Sequence, residues 1–334
     1  MNRSLLAASL TVLVPLGCAP RGAGRDVIRV ATSAYLVDAA MFIGADEGIF
    51  AAHGLHVELV PLNRSGDAPP LLSKGEIDAA SSGPLNSRTF NVIERGGDVR
   101  IVAARAYYAT EGCVSDAFVV RPALLASGRV TGPASLKGLR VTTERSGSNY
   151  YYLSLLLAQG RLTLGDVEIV DMPVPMRGDA LRKGLVDVAT ASEPWATRIT
   201  REGSAVVWKR VSDVLPNRQS TFLLYGKRFL GAEHALGVRF LAAYLEAARR
   251  LRAEGKSSRN VEAIARHTRI DPGELRQMCW QPPPADPRPD PKTLAEYQSW
   301  AFRNDLLDAV APYDRLVDTT FLDALGGRSA PAAP

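Results

Sequence analysis

The feature that most restricts the fold is an alternation of short apolar runs with helical stretches that stop on glycine. Residues 27–33 (VIRVATS) predict a buried strand, and 38–53 predict a helix stopped by Gly54. Residues 56–61 alternate apolar and polar side chains and predict a second strand. A helix over 68–75 ends on Gly75, a strand follows at 77–81, and a helix over 84–95 ends on Gly96-Gly97. Residues 99–105 give a fourth strand. Strands that alternate with helices in this way form a mostly parallel sheet covered by helices.

The alternation then repeats. Strands are predicted at 118–120, 140–143, 168–171 and 187–191, with helices at 149–159, at 176–183 and from Pro194 onward. Two further strands, 206–211 and 221–226, close this second unit. Beyond residue 230 the pattern is helical only. Residues 235–253 place Leu236, Phe240, Leu241, Tyr244, Leu245, Ala248 and Leu251 on one face. Shorter helical pieces are expected at 260–268, 272–280, 293–308 and 318–325. Residues 282–291, rich in proline, predict a stiff extended surface loop, and 326–334 a loose tail. The expectation is an α/β chain of two units of about a hundred residues each, within the ordinary domain range.

The N-terminus has a different character. Arg3 precedes an apolar stretch from Leu5 to Leu16, then Gly17-Cys18. That stretch is too short to span a bilayer and has the length of a signal-peptide core. We expect residues 1–17 to be a signal peptide, 18–26 a linker, and the mature chain to be exported. The Leu-Gly-Cys ending resembles a bacterial lipoprotein box, which would leave Cys18 as the lipid attachment site. In an oxidising compartment Cys113 and Cys279 could pair. The reading preferred from sequence is that each is a separate buried small residue, since nothing local brings them together.

Composition excludes several function classes. With 46% hydrophobic and 22% charged residues in 334, the chain is an ordinary globular one. No apolar run after the N-terminus is long enough for a polytopic membrane protein. The net charge of +5 is scattered, without the basic block of a nucleic-acid binder. Three cysteines and four unclustered histidines (His53, His56, His234, His267) support neither a metal cluster nor a disulfide scaffold. There is no G-x-S-x-G elbow, no P-loop and no H-E-x-x-H. No cofactor, metal or catalytic residue is expected.

Open α/β sheets bind ligands where strands run into helices. Four such junctions carry polar groups. They are Tyr35, Leu36 and Asp38 after the first strand; Ser81, Ser82 and Gly83; Ser146, Gly147, Ser148, Asn149 and Tyr150; and Ser192, Glu193 and Trp195. Serines at a helix start supply hydroxyls and leave backbone N–H groups facing a ligand. Equally, Ser82, Ser148 and Ser192 can serve as helix caps and nothing more. Tyr107 and Tyr108, after the fourth strand, offer aromatic faces.

The run IGADEGIF at 43–50, followed by HGLHVE at 53–58, resembles the signature of solute-binding proteins of ABC importers for nitrate, alkanesulfonates, taurine and thiamine precursors. LLSKGEIDAA at 71–80, ASLKGLRV at 134–141, SGSNYY at 146–151, LRKGLVDVATA at 181–191 and Glu193-Pro194-Trp195 match in the same order. The resemblance implies a two-lobed periplasmic-binding-protein fold of type II with a ligand cleft between the lobes. Lobe one would comprise 27–110 plus the C-terminal helices of 230–325, and lobe two 111–229. Segments near 106–116 and 212–226 would act as hinges. It also implies an ABC permease and ATPase complex as partner, a monomeric state, and a place in the periplasm or at the outer face of the cytoplasmic membrane. The alternatives are an enzyme on the same fold acting on a small aromatic or heterocyclic metabolite, and a sensor or scavenger without a transporter. The aromatics, neutral hydroxyls and two carboxylates at the junctions predict a small organic ligand, flat or apolar in body and cationic or zwitterionic. Arg105 is the only base expected nearby.

Overall fold

In a computed structural model of the protein the described residues are 27–326, without Ala34, Glu111, Ser146 and Pro282 and without the side chains of Ser65 and Ser82. The expected signal peptide, Cys18, the linker and the tail beyond Gly326 lie outside the described residues. So do Ser146 and the Ser82 side chain, both expected at the site.

The strands run β1 (Val27–Thr32), β2 (His56–Pro61), β3 (Ala79–Pro84), β4 (Val99–Tyr107), β5 (Asp116–Val120), β6 (Arg140–Thr143), β7 (Glu168–Asp171), β8 (Val188–Ser192), β9 (Val206–Arg210) and β10 (Gln219–Gly226). They form two five-stranded sheets, ordered β2-β1-β3-β10-β4 and β7-β6-β8-β5-β9. In the first, β1 pairs parallel with β2 and β3, and β10 runs antiparallel between β3 and β4. In the second, β6 pairs parallel with β7 and β8, and β5 runs antiparallel between β8 and β9. Each sheet is the core of one lobe of an α/β fold. β4 and β5 read as near-continuous apolar runs because both faces are covered.

Several sequence expectations need correction. Residues 219–226 do not belong to lobe two, where a boundary at 229 would put them. β10 crosses back and fills the gap between β3 and β4. Lobe two then holds all its strands within 116–210. The helix expected over 38–53 is two, Ala39–Asp46 and Ile49–Ala52, because Gly48 between them adopts φ 69°. The helix expected from residue 84 begins at Ser87, since β3 continues to Pro84 and Asn86 caps the helix by accepting from Arg88 N. The proline-rich loop is not purely a surface feature. Pro287 O accepts from Ala104 N at 2.6 Å, which pairs part of the open edge of β4.

The long helix His234–Glu254 covers one face of the first sheet, with Phe240 against Tyr225, Phe229 and Phe50. The opposite face merges into the core that contains Phe90, Tyr297 and Trp300. Two connectors cross between the sheets, 108–115 and 211–218. They run side by side at the first sheet, where Tyr108 N donates to Arg218 O and Asn217 N donates to Tyr108 O, both at 2.8 Å. Cys113 in the first connector is joined by a disulfide to Cys279, 166 positions away. This overturns the reading of two separate thiols. The chain after the helix Pro272–Gln277 returns to the connector, which no local spacing announces. Glu274 of that helix also pairs with Arg198 and Arg201 of lobe two.

Candidate functional site

The C-terminal ends of the parallel strands and the N-terminal ends of the antiparallel β5 and β10 converge on a cleft. It holds about 990 Å³ of empty space, part of it open to solvent. One wall is Tyr35, Leu36, Asn63, Arg64, Asn86 and Arg88; the other is Asp116, Glu144, Gly147, Ser148, Asn149, Ser192 and Glu193. The floor between them is Tyr108, Ser220, Thr221, Cys279 and Gln281.

The serine-glycine turn after β6 does what its sequence suggests. Gly147 is the N-cap of the helix Ser148–Gln159, and no side chain caps it. The first backbone N–H groups of that helix have no partner within it and sit beside the cleft. Tyr35 supplies a half-buried aromatic face. Its hydroxyl is pushed up to about 12, first by burial and then by Glu144, against the pull of Arg177. Arg177 is fully buried behind this wall and donates to Met172 O, Thr190 O and Thr190 Oγ1. Burial away from water pulls its guanidinium down to about 10.

Of the residues expected at the site, Tyr35, Leu36, Gly147, Ser148, Asn149, Ser192 and Glu193 line the cleft. The others do not. Asp38 is buried and accepts from Arg105 Nη1 at 2.9 Å, Ser33 N at 2.7 Å, Ser33 Oγ at 2.9 Å and Ser81 Oγ at 2.6 Å. Arg105 also donates to Tyr244 Oη and Val37 O. Asp38, Ser81 and Arg105 therefore form a closed structural network and face no ligand. Gly83 pairs with Phe222, and a Cβ there would meet Leu224 at 2.6 Å, so its small size serves sheet packing. Tyr150 is buried with its ring edge-on to Trp300 at 6.0 Å. Trp195 packs on the lobe-two core with the Arg198 guanidinium 5.4 Å from its ring centre. Tyr107 lines an adjoining cavity beside the connectors, with Arg210 and Asn217, which shares Tyr108, Ser115, Asp116, Cys279 and Gln281 with the cleft. Pro194 is not the first helical residue but the N-cap, after a cis peptide bond.

The sequence reading missed Asn63, Arg64, Asn86, Arg88, Asp116, Glu144, Ser220, Thr221 and Gln281. Asn63-Arg64 follow a predicted strand and were open to the strand-end rule. Asp116 and Ser220 lie at the N-terminal ends of β5 and β10, ahead of the strands expected at 118–120 and 221–226, and only the strand direction brings them to the cleft. Asp116 accepts from Ser115 Oγ at 2.9 Å and from Ser192 Oγ. Burial raises its carboxyl to about 6, with Glu193 adding to the rise and the two serines opposing it. Glu193 is 6% exposed and accepts from Thr197 N at 3.1 Å, Thr197 Oγ1 at 2.6 Å and Cys279 N at 3.1 Å. Arg64 reaches across the cleft to Glu144 at 3.7 Å, and Arg88 pairs with Asp67 at 3.2 Å. Among the described residues no group of three or more His, Cys, Asp or Glu could hold a metal ion. No helix among them is long and apolar enough to cross a membrane.

Comparison with known proteins agrees with this geometry. No curated protein sequence matches the chain. A ligand-binding component of an ABC-type import system from Staphylococcus aureus, solved with zinc bound, superposes with a TM-score of 0.73 at 15% identity, covering 90% of this chain and 98% of that one. The alkanesulfonate-binding protein SsuA from Xanthomonas axonopodis pv. citri, bound to MOPS, gives 0.72 at 15% identity, covering 88% and 98%. DSZB, a desulfurization enzyme solved with biphenyl-2-sulfinic acid, gives 0.62 at 18% identity, covering 90% and 98%. The fold is thus one that binding proteins and an enzyme share. The model of the NMT1/THI5-like family matches residues 37–256, which is more than half of the sequence, and the chain belongs to that family.

Proposed function

We propose that the protein is the extracytoplasmic solute-binding component of an ABC importer. It captures a small organic ligand in the cleft and delivers it to a membrane permease and ATPase complex. The observation that carries this reading is the cleft itself. Two sheets of the same strand plan meet across a site lined by hydroxyls, amides, a helix N-terminus and aromatic faces. Closure of two lobes about connectors is a known way to signal occupancy to a partner. The likeness to an ABC-type ligand-binding component and to a sulfonate-binding protein supports the reading. The signal-like N-terminus supports a protein outside the cytoplasmic membrane, anchored through lipid on Cys18.

A thermal-shift screen of small metabolites tests it, because a ligand that binds only the folded state raises Tm by mass action. The expected result is at least one tight ligand, recovered chemically unchanged after the complex is denatured. Turnover of that ligand by the purified protein would instead establish an enzyme on this fold, the reading that the likeness to DSZB favours. For the anchor, Cys18→Ser is expected to move the protein from the membrane fraction to the soluble one with its binding intact.

A further inference from the structure

We propose that the cleft recognises its ligand through a positively charged nitrogen, and that Asp116 is the group that receives it, with Ser220 and Thr221 as neutral partners. The proposal deepens the solute-binding reading and rests on it.

The charges in the cleft are unevenly spent. Its two arginines are engaged, Arg64 with Glu144 and Arg88 with Asp67. Asp116 and Glu193 have no basic side chain within 4.0 Å among the described residues. They are not equivalent. Glu193 already accepts three hydrogen bonds, two of them from backbone N–H groups. Among the described residues Asp116 accepts only from the hydroxyls of Ser115 and Ser192. An ionised carboxylate has about four acceptor positions, so Asp116 keeps capacity for a further donor.

A second observation points to the same place. Ser220 is 3% exposed, yet its hydroxyl has no hydrogen-bond partner among the described residues, and neither has that of Thr221. Both residues line the cleft that Asp116 lines. Buried polar atoms in folded proteins are almost always satisfied. Two orphan hydroxyls and an under-used carboxylate at one cleft are what an N–H-rich cation would complete. The tyrosine faces of Tyr35 and Tyr108 on the same lining suit a flat body and favour a cation. Burial in low dielectric, which costs the lone carboxylate, is relieved by an opposite charge.

The experiment uses three probes of one shape: benzylamine, benzyl alcohol and benzoate, titrated against the protein by ligand-observed NMR. Benzylamine is expected to bind about ten-fold or more tighter than the other two, as a charge-assisted contact requires. Asp116→Asn is expected to remove that preference. A wild-type pH series tests the proposal without a variant. Benzylamine stays protonated throughout, while Asp116 gains a proton below its value of about 6. Its affinity is expected to fall by about ten-fold between about pH 7.5 and about pH 5. The charged and titratable groups facing Asp116 are Glu193, raised in the same direction, and the hydroxyls of Tyr35, Tyr108 and Tyr152, all raised by burial and neutral over this range. Benzoate binding as well as benzylamine, no binding by benzylamine, a flat pH series, or a preference kept by Asp116→Asn would each overturn the proposal. None of these touches the solute-binding reading, which stands or falls on the metabolite screen and the recovery of unchanged ligand.

Discussion

In lobe one the strand order is β2-β1-β3-β10-β4, and in lobe two it is β7-β6-β8-β5-β9; in both, one antiparallel strand sits next to the edge. Each lobe also has a fully buried arginine and a desolvated aspartate, Arg105 and Asp38 in one and Arg177 and Asp116 in the other. In lobe one they meet: Arg105 and Asp38 form an ion pair with both side chains fully buried, completed by Ser33, Ser81 and Tyr244. In lobe two they do not. Arg177 spends its donors on backbone carbonyls and Thr190, and Asp116 lines the cleft with only serine hydroxyls as partners among the described residues. A charge satisfied inside the protein is silent toward solutes, whereas one left short of partners is available for recognition. On the proposal made above, the buried pair of lobe one takes no part in recognition, and Asp116 of lobe two is the charge left to receive a ligand.

The comparison can be broken most strongly at the buried arginines. Arg105→Ala strands the Asp38 carboxylate away from water and is expected to lower stability by about 3–5 kcal/mol in urea unfolding. Arg177→Ala removes the donor from Met172 O, Thr190 O and Thr190 Oγ1 but breaks no ion pair within 4.0 Å among the described residues, and is expected to cost less, about 1–3 kcal/mol. Equal losses would mean that Arg177 has a charged partner after all. The second test is pH. A carboxyl raised to about 6 favours the folded state while protonated, so its contribution is complete below the unfolded value near 4 and fades as pH rises through about 6. Asp116→Asn should flatten that part of the stability curve by about 1 kcal/mol after solvent screening, with the folded protein more stable than wild type above about pH 6. A wild-type stability that rises across this window faster than that of the variant would contradict the assignment. The smallest effect belongs to the pair that spans the lobes. Arg64 and Glu144 are both partly solvated, so Arg64→Ala should change stability by less than about 1 kcal/mol. A larger loss would show that the pair holds the lobes together.

The strand–helix alternation was legible because its signals are local: apolar runs, glycine stops and caps. Gly54, Gly75, Gly96 and Gly184 do lie at or just past helix ends, in the left-handed region. The turn at Gly147-Ser148-Asn149 was legible for the same reason. The antiparallel strands were not. Hydrophobic pattern marks a strand but carries no direction, and direction decides whether the first or the last residue reaches the cleft. Asp116, Ser220 and Thr221 were invisible on that account. Asp38 failed differently. Its place at a strand end was read correctly, and its partner Arg105 was noticed, but nothing in the sequence says that two residues 67 positions apart close on each other. Trp195 and Tyr150 sit on helices that begin at the cleft, yet each turns to the core, a choice set by packing and not by spacing.

The paired hydrogen bonds between Tyr108 and residues 217–218 have a consequence for how such a chain can be cut and joined. At that point the outgoing and returning connectors are as close as the two arms of a hairpin. All strands of lobe two lie between them, and its own ends, at Ala117 and Arg210, are neighbours in the sheet. Lobe two is thus a continuous passage inserted into an interrupted one. A short turn in place of residues 109–216 would leave the first sheet with every strand it has now, and 116–210 would leave as a unit with every strand of the second. In genetic terms the chain is a host and a guest. Recombination could exchange the guest, and with it the chemistry of one wall of the cleft, at two points that already touch.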